Sequence, residues 1–455
     1  MFTISNFGSK IISFLMIPLY TYILSTADYG AIDLVTSAAA LLVPLLTLNI
    51  QDAVLRFSLD TSAKPEDVIS VGMQINALGG IVLGIVSFVL CKTRIITVGT
   101  NYLFFLFFSY LGNGLYNSFS MYLKARDRVN ILVIGGISNT LISCILNICL
   151  LVIIRLGVNG YLIANVLGTF FANSLMFYMG GIYKEIRFFP NSKLRREMIW
   201  YSLPLVFNSI AWWINNASDK YILTFFCGIT VNGIFSVAYK IPTILSTLQG
   251  IFYNAWSVSA ITEFDRTDSD GFIGNIYTLY SCISVIGCSA IMVMNVFLAQ
   301  ILYAKDFFEA WHYVPFLLLG AMFNGVALFE GCLFTAIKQT EKVLHTTLIG
   351  ALINTIANVL LIQLMGPLGA AAATMLGYFS IWLIRTIQVR KIVAMKVTWG
   401  TQFLIYGILG FQTIIALYEG NELWQLICLI FIIVAQWDYL KMIVFKFMEL
   451  TRRKR

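Results

Sequence analysis

The chain has 455 residues, of which 59% are hydrophobic and 11% charged, with a mean hydropathy of +0.83. A water-soluble domain of that composition would be left with more apolar surface than it can cover, so lipid is the solvent it is built for. The net charge of +8 is dispersed over short connections with no single basic face or nucleic-acid motif, which excludes an RNA or DNA partner and points to anionic lipid head groups.

A spanning helix needs about 20 mainly apolar residues. That ruler finds fourteen segments: 2–24, 31–55, 68–91, 95–121, 130–154, 158–182, 198–218, 231–261, 272–303, 308–336, 343–365, 367–389, 400–418 and 422–447. The first begins almost at Met1 without a small-residue cleavage site, so it reads as a spanning helix and not as a secretory signal. Of the 30 Lys and Arg residues, twenty-three fall on even-numbered connections and the C-terminal tail. Five, Lys92, Arg94, Arg155, Lys220 and Lys305, fall on odd-numbered ones, and Lys10 and Lys240 lie inside helices. The positive-inside rule then places both termini in the cytoplasm.

The sixth and twelfth segments share a pattern. GVNGYLIANVLGTF at 157–170 and GPLGAAAATMLGYF at 366–379 carry matching glycines: Gly157, Gly160 and Gly168 against Gly366, Gly369 and Gly377. A repeat of six helices returns to the same membrane face, which predicts an all-α polytopic protein of two parallel six-helix bundles plus two extra C-terminal helices. The divisions are 1–182 for the first bundle, 183–197 for a basic cytoplasmic linker, 198–391 for the second bundle, and 392–455 for the additional helices and basic tail. Pro18, Pro44, Pro204 and Pro242 fall in helices one, two, seven and eight, which are equivalent pairs, and interrupted helices at equivalent positions mark a transport site.

Those same helices carry polar residues at steps of three, four and seven, which share a helical face. They are Asn6 and Lys10 in helix one; Asn49, Asp52 and Arg56 in helix two; Asn208, Trp212, Asn215 and Asp219 in helix seven; and Lys240, Thr247 and Asn254 in helix eight. A polar stripe in lipid has to turn toward protein or water. Lys10 lies about 14 Å into its helix at 1.5 Å per residue, and Lys240 is comparably deep. Each such charge costs about 2.5–3.5 kcal/mol near a helix centre unless it is paired or used. Arg56 ends helix two, with Asp52 one turn earlier as its expected intrahelical partner. Glu330 is a deep acid in helix ten, a candidate with Asp52 for proton or sodium coupling, with a structural pairing to a lysine as the alternative. Two or three cations in a low-dielectric cleft favour an anionic ligand such as a diphosphate.

No catalytic or metal centre is expected. The longest hydrophilic connection, Tyr183 to Glu197, is basic, and the two histidines, His312 and His345, fall near opposite faces. The eight cysteines lack CxxC or Cys/His clustering and read as packing residues. The acidic run Glu263, Asp265, Asp268 and Asp270 lacks the spacing of a calcium loop and reads as a solvated turn.

The opening GSKIISFLMIPLYTYILSTADYGAIDL followed by LNIQDAVLRF, the segment SDKYILTFFCGITVNGIFSVAYKI at 218–241, FTAIKQTEKVL, and the glycine pattern together resemble polysaccharide biosynthesis membrane proteins over essentially the whole chain. These are the Wzx-type lipid-linked oligosaccharide flippases of the MATE-like multidrug/oligosaccharidyl-lipid/polysaccharide (MOP) exporter superfamily. The resemblance implies movement of an undecaprenyl-diphosphate-linked glycan unit from the inner to the outer leaflet by alternating access, for capsule, O-antigen or exopolysaccharide synthesis. It implies a bacterial cytoplasmic membrane, glycan assembly proteins such as a polymerase as partners, no cofactor, and a cationic cavity at Lys10 in GSK, Arg56 in LRF and Lys240 in AYK. It also allows helices thirteen and fourteen to form a lipid-tail groove. The alternatives are a lipid II flippase, a cation-coupled drug exporter, which would carry an acid in its early helices, and a membrane glycan polymerase, which would need a large external loop.

Overall fold

The computed structural model describes residues 2–60, 63–93, 99–418, 420–437, 439 and 441, with the backbone alone at 2–7, 100 and 258. All fourteen apolar segments contain helix. In chain order these are α1 (Phe2–Leu15) and α2 (Ile17–Ile23), α3 (Thr26–Leu46) and α4 (Ile50–Ser58), α5 (Pro65–Thr93), α6 (Thr100–Ala125), α7 (Val129–Asn147) with a π-helical extension Ile148–Ile153, and α8 (Gly157–Met179). There follow α9 (Ser192–Cys227), α10 (Ile229–Ala238) and α11 (Pro242–Thr262), α12 (Phe272–Val293) and α13 (Asn295–Leu302), α14 (Val314–Ala336), α15 (Thr340–Met365), α16 (Pro367–Val389), α17 (Trp399–Ile415) and α18 (Glu422–Ala435). Among the described residues, eight helices are each long and apolar enough to cross a membrane. The chain is a multi-pass α-helical membrane protein.

Three of the four expected interruptions are present. Pro18 follows the break at Met16 and Pro242 follows the one at Tyr239–Ile241, each at the start of a new helix, where its missing N–H leaves no helical donor unpaired. The break between α3 and α4 falls after Pro44, at Leu48 and Asn49, whose φ values of 53° and 51° reverse the chain locally. The fourth differs from expectation: Pro204 lies within the unbroken 36-residue α9. One missing backbone bond and one steric clash are tolerated where the rest of a long helix keeps its hydrogen bonds.

By internal packing the chain divides into two units, Met1–Ala217 and Ser218–Arg455. The repeated glycines do equivalent work in each. Gly157 and Gly366 have φ of 55° and 60°, the left-handed turn that starts α8 and α16. A Cβ on Gly168 would lie 3.1 Å from the Asn139 carbonyl of α7, and one on Gly377 would lie 2.8 Å from Asn354 Cβ of α15. Gly160 and Gly369 press likewise on the carbonyls of Leu150 and Leu361. In both units small residues let the sixth helix of the repeat approach the fifth, as close helix packing in lipid requires.

In the first unit, the connection after α8 is clasped and not merely basic. Arg187 pairs with Glu66 and lies 3.9 Å from Asp67, its N–H donates to Ser70 Oγ at 2.7 Å, and Gln74 donates to the Phe188 carbonyl at 2.8 Å. Glu185 accepts from Tyr122 and lies 3.8 Å from Arg128. Burial, and then the Glu66 charge, raise the Glu185 carboxyl above its ordinary value.

In the second unit α14 is the hub. It is apolar on all sides, as a helix enclosed by others is, and is buried against α11, α12, α16 and α17. Trp256 stacks on Phe329 at 4.1 Å and Phe252 on Tyr280 at 4.4 Å. The acidic run has a structural use. Asp268 accepts from the Ile273 and Gly274 N–H groups at 2.9 and 3.0 Å, capping the first turn of α12, while Asp265 accepts from Thr267 and Ser269. The 266–274 connection also holds 394–396, through the Ala394 N–H on the Arg266 carbonyl and Lys396 Nζ on the Ser269 carbonyl. Helix α17 is joined to α12 by polar bonds: Ser281 to Gln402 and Tyr406, and Ser289 to Gln412, which reaches the Gln425 carbonyl of α18.

Candidate functional site

In the first unit, Lys10 is exposed on α1, a helix that packs against α7. Asn6 lies on the same helix, but its side chain falls outside the described residues. Asn49 is buried at the helix break, and its Nδ2 donates to Asp52 Oδ2. The Asp52 carboxylate is therefore taken by the break residue, not by Arg56 as the one-turn spacing predicts. A left-handed Asn49 brings its amide nearer than an arginine one turn on, and Arg56 stands exposed in the last turn of α4. On α9, Asn208 is exposed, Trp212 half-buried and Asn215 buried, while Trp213 donates to the Ser37 carbonyl of α3 at 2.8 Å.

In the second unit, Lys240 sits, half-buried, in the turn between α10 and α11. The sequence explains the turn: Pro242 cannot donate back into α10, so the helix ends and restarts, and Lys240 occupies the C-terminal end of α10, where a cation is favourable. Its carbonyl accepts from Thr243 Oγ1 at 2.6 Å, and the Thr243 carbonyl accepts from Thr247 Oγ1 at 2.7 Å. The adjoining Tyr239 donates to the buried Asp219 of α9, and Thr374 of α16 lies 3.4 Å from the same carboxylate. Asn254, farther along α11, is exposed.

Glu330 is fully buried on α14, and Thr386 Oγ1 of α16 donates to its Oε1 at 2.6 Å. Among the described residues it makes no ion pair with a lysine. Arg385, which the sequence reading counts with the basic residues of an even-numbered connection, is instead buried within α16. It donates to the Ala327 carbonyl at 2.7 Å, to Thr346 and Thr347 hydroxyls at 3.0 Å each, and to the Val343 carbonyl at 3.4 Å. The only sequence signs of this are the Thr pair on α15 and the apolar run around Arg385, since a charge near a helix end reads as part of the adjoining connection.

The broken helices and paired glycine turns define a class by fold: an all-α membrane protein similar in fold to solved members of the MOP superfamily. The solved structure of a lipid II flippase, MurJ, in an inward closed conformation matches with a TM-score of 0.71 at 15% identity, over 98% of this chain and 99% of that one. An inward-facing multidrug resistance MATE family transporter of the MOP superfamily matches at 0.65 and 13% identity, covering 87% of this chain and 96% of that one. A MOP superfamily transporter from Pyrococcus furiosus, described as having a binding pocket of reverse polarity, matches at 0.60 and 12%, covering 86% and 93%. The chain belongs to the polysaccharide biosynthesis protein family, whose model matches residues 1–257. No curated protein sequence matches it.

Proposed function

We propose that this protein flips a polyprenyl-diphosphate-linked oligosaccharide repeat unit from the inner to the outer leaflet of a bacterial cytoplasmic membrane by alternating access, with both termini cytoplasmic. The observation that carries the reading is Lys240, a half-buried cation held at the backbone break between α10 and α11. Unwound turns of this kind are where transporters expose charge and backbone to a substrate. Lys10 would add a second cation from the first unit, and Arg56 a third. Family membership and the MurJ-like fold support a lipid-linked substrate, and two lysines suit a diphosphate better than they suit a cationic drug. Asn208, Trp212, Asn215, Thr247 and Asn254 would meet the sugars. Asn6 belongs to the same assignment.

A lipid II flippase is the second reading, favoured by the MurJ likeness over nearly the full length of both chains. Glycan chemistry separates the two. In cells, Lys10→Ala and Lys240→Ala variants, expressed at the wild-type level, are expected to export glycan at least about tenfold more slowly, the equivalent of losing about 1.4 kcal/mol of binding to the transported state. Full-rate export by both variants would refute the assignment of these lysines.

A further inference from the structure

The connection after α8 carries a feature that substrate handling does not use. Phe188 and Phe189 are 85% and 96% exposed, more than any other large apolar side chain among the described residues. They are also held in place. The Arg187 N–H donates to Ser70 Oγ at 2.7 Å, the Phe188 carbonyl accepts from Gln74 Nε2 at 2.8 Å, and the Arg187 side chain pairs with Glu66. Glu66, Ser70 and Gln74 are spaced by four along α5, so they form one row up its surface. Leu78 and Val82, both exposed, continue that row at the same spacing, and an exposed apolar stripe on a spanning helix is the face that lipid wets.

The depth of the row follows from α5 itself. Lys92, in its last turn, marks one membrane boundary, and Gln74 lies about 27 Å from it at 1.5 Å per residue. The hydrocarbon core is about 30 Å thick, which puts Gln74, and the Phe188 carbonyl bonded to it, at the opposite boundary. A non-helical segment at that depth needs its backbone polar groups satisfied by protein. Ser70 and Gln74 supply two of those bonds, which accounts for polar side chains on a lipid-facing row.

Cations flank the two rings. Lys193, Arg195 and Arg196 stand exposed at the start of α9, where the helix dipole disfavours positive charge, and among the described residues no ion pair holds any of them. Asn191 Oδ1 already accepts from the Lys193 N–H at 2.9 Å, so an anion arriving here meets the side chains and not the end of the helix. Rings at the hydrocarbon boundary beside unpaired cations fit a leaflet of anionic lipid, with acyl chains around the rings and phosphates on the cations. A water-soluble protein partner would have to reach into the hydrocarbon to touch the rings.

We propose that the 186–190 segment is a membrane wedge: Phe188 and Phe189 insert among the acyl chains of one leaflet, and Lys193, Arg195 and Arg196 hold its anionic head groups. On the orientation proposed above this is the inner leaflet.

The test uses the full-length protein in lipid vesicles and needs no glycan, so its outcome is independent of the flippase reading. Phe189→Cys is labelled with a solvent-sensitive fluorophore, and wild type labelled in parallel sets the background from the native cysteines. In phosphatidylcholine vesicles containing phosphatidylglycerol, lipid brominated high on its acyl chains is expected to quench the label, while aqueous iodide leaves it bright. Quenching by iodide and not by the brominated lipid would overturn the proposal. Should Phe189→Cys not accumulate, Phe188→Cys is read in the same way.

Two further arms separate the parts. Quenching by the brominated lipid is expected to be weaker in phosphatidylcholine alone, and the difference between the two vesicles is expected to vanish when Lys193→Ala, Arg195→Ala and Arg196→Ala are added together; equal quenching in both vesicles before those changes would overturn the head-group role. Gln74→Ala releases the Phe188 carbonyl and is expected to raise access to iodide, and unchanged access would overturn the pinning by α5. A label open to iodide in vesicles but shielded in membranes prepared from cells would assign the rings to a protein partner and overturn the lipid reading.

Discussion

Adding one methyl group to Gly369 should damage this protein, whereas the same change at Gly407 should not. A Cβ on Gly369 would run into the Leu361 carbonyl and lie 2.9 Å from the Ile362 nitrogen, so backbone has to move and no side chain can simply rotate away. Overpacking of that kind costs about 1–3 kcal/mol, and a clash with backbone belongs near the top of that range. Ala is favoured over Gly by up to about 1 kcal/mol in a helix interior, but Gly369 lies in the first turn of α16, where little of that gain is realised. The net expectation is a loss of about 2 kcal/mol. Gly407, in the middle of α17, has nothing within 4 Å of an added Cβ and serves as the control. Unfolding midpoints of the purified proteins in one detergent are expected to rank Gly369→Ala well below wild type and Gly407→Ala at or above it. A Gly369→Ala midpoint equal to that of Gly407→Ala would refute the close approach of α15 and α16 and, with it, the structural meaning of the glycine repeat.

Two further expectations concern polar groups. Gln412→Leu leaves Ser289 Oγ of α12 without the 2.6 Å acceptor it now has, and should cost about 1 kcal/mol, in the range of interhelical hydrogen bonds in membranes; the Ser289→Ala, Gln412→Leu double variant should cost less than the two single changes added together, and strict additivity would contradict the pairing. Asp265 is held below the usual carboxylate range by hydrogen bonds from Ser269 first and then Thr267, so its folded value is depressed and its contribution is present above the ordinary carboxylate value of about 3.9. That contribution fades as pH falls through the folded value, so the stability gap between wild type and Asp265→Ala should be widest near neutral pH and close in acid; a gap that widens in acid would reverse the sign of the argument.

Hydropathy located all fourteen helical segments because spanning length and apolar content are local properties, readable without knowing the partners of any residue. The paired glycines were legible for a related reason: a position that admits no Cβ excludes every other residue, so it leaves a mark in the sequence. Proline was a weaker guide. Pro18 and Pro242 start helices as their chemistry predicts, while Pro204 is carried inside α9, since whether one missing bond breaks a helix depends on what surrounds it. The pairing of Asp52 was misjudged because the one-turn rule assumes a continuous helix, and Asn49 sits at a reversal that hydropathy cannot register. Arg385 was hidden for the opposite reason. Its charge reads as a loop signal near a helix end, yet three-dimensional packing gives it acceptors on both α14 and α15. Glu330 stood out as a deep acid, but its unpartnered oxygen and its neighbours Thr386, Tyr277 and Trp382 come from α12 and α16, and no spacing along one helix announces them.

The most direct test of the account follows polyprenyl-linked glycan in cells lacking this gene, then restored with wild type or with the Lys10→Ala, Lys240→Ala double variant. The account predicts accumulation on the cytoplasmic side after deletion, cured by wild type and not by the double variant at equal expression. No accumulation on deletion would contradict lipid-linked glycan flipping itself, and a cure by the double variant would contradict the cationic site.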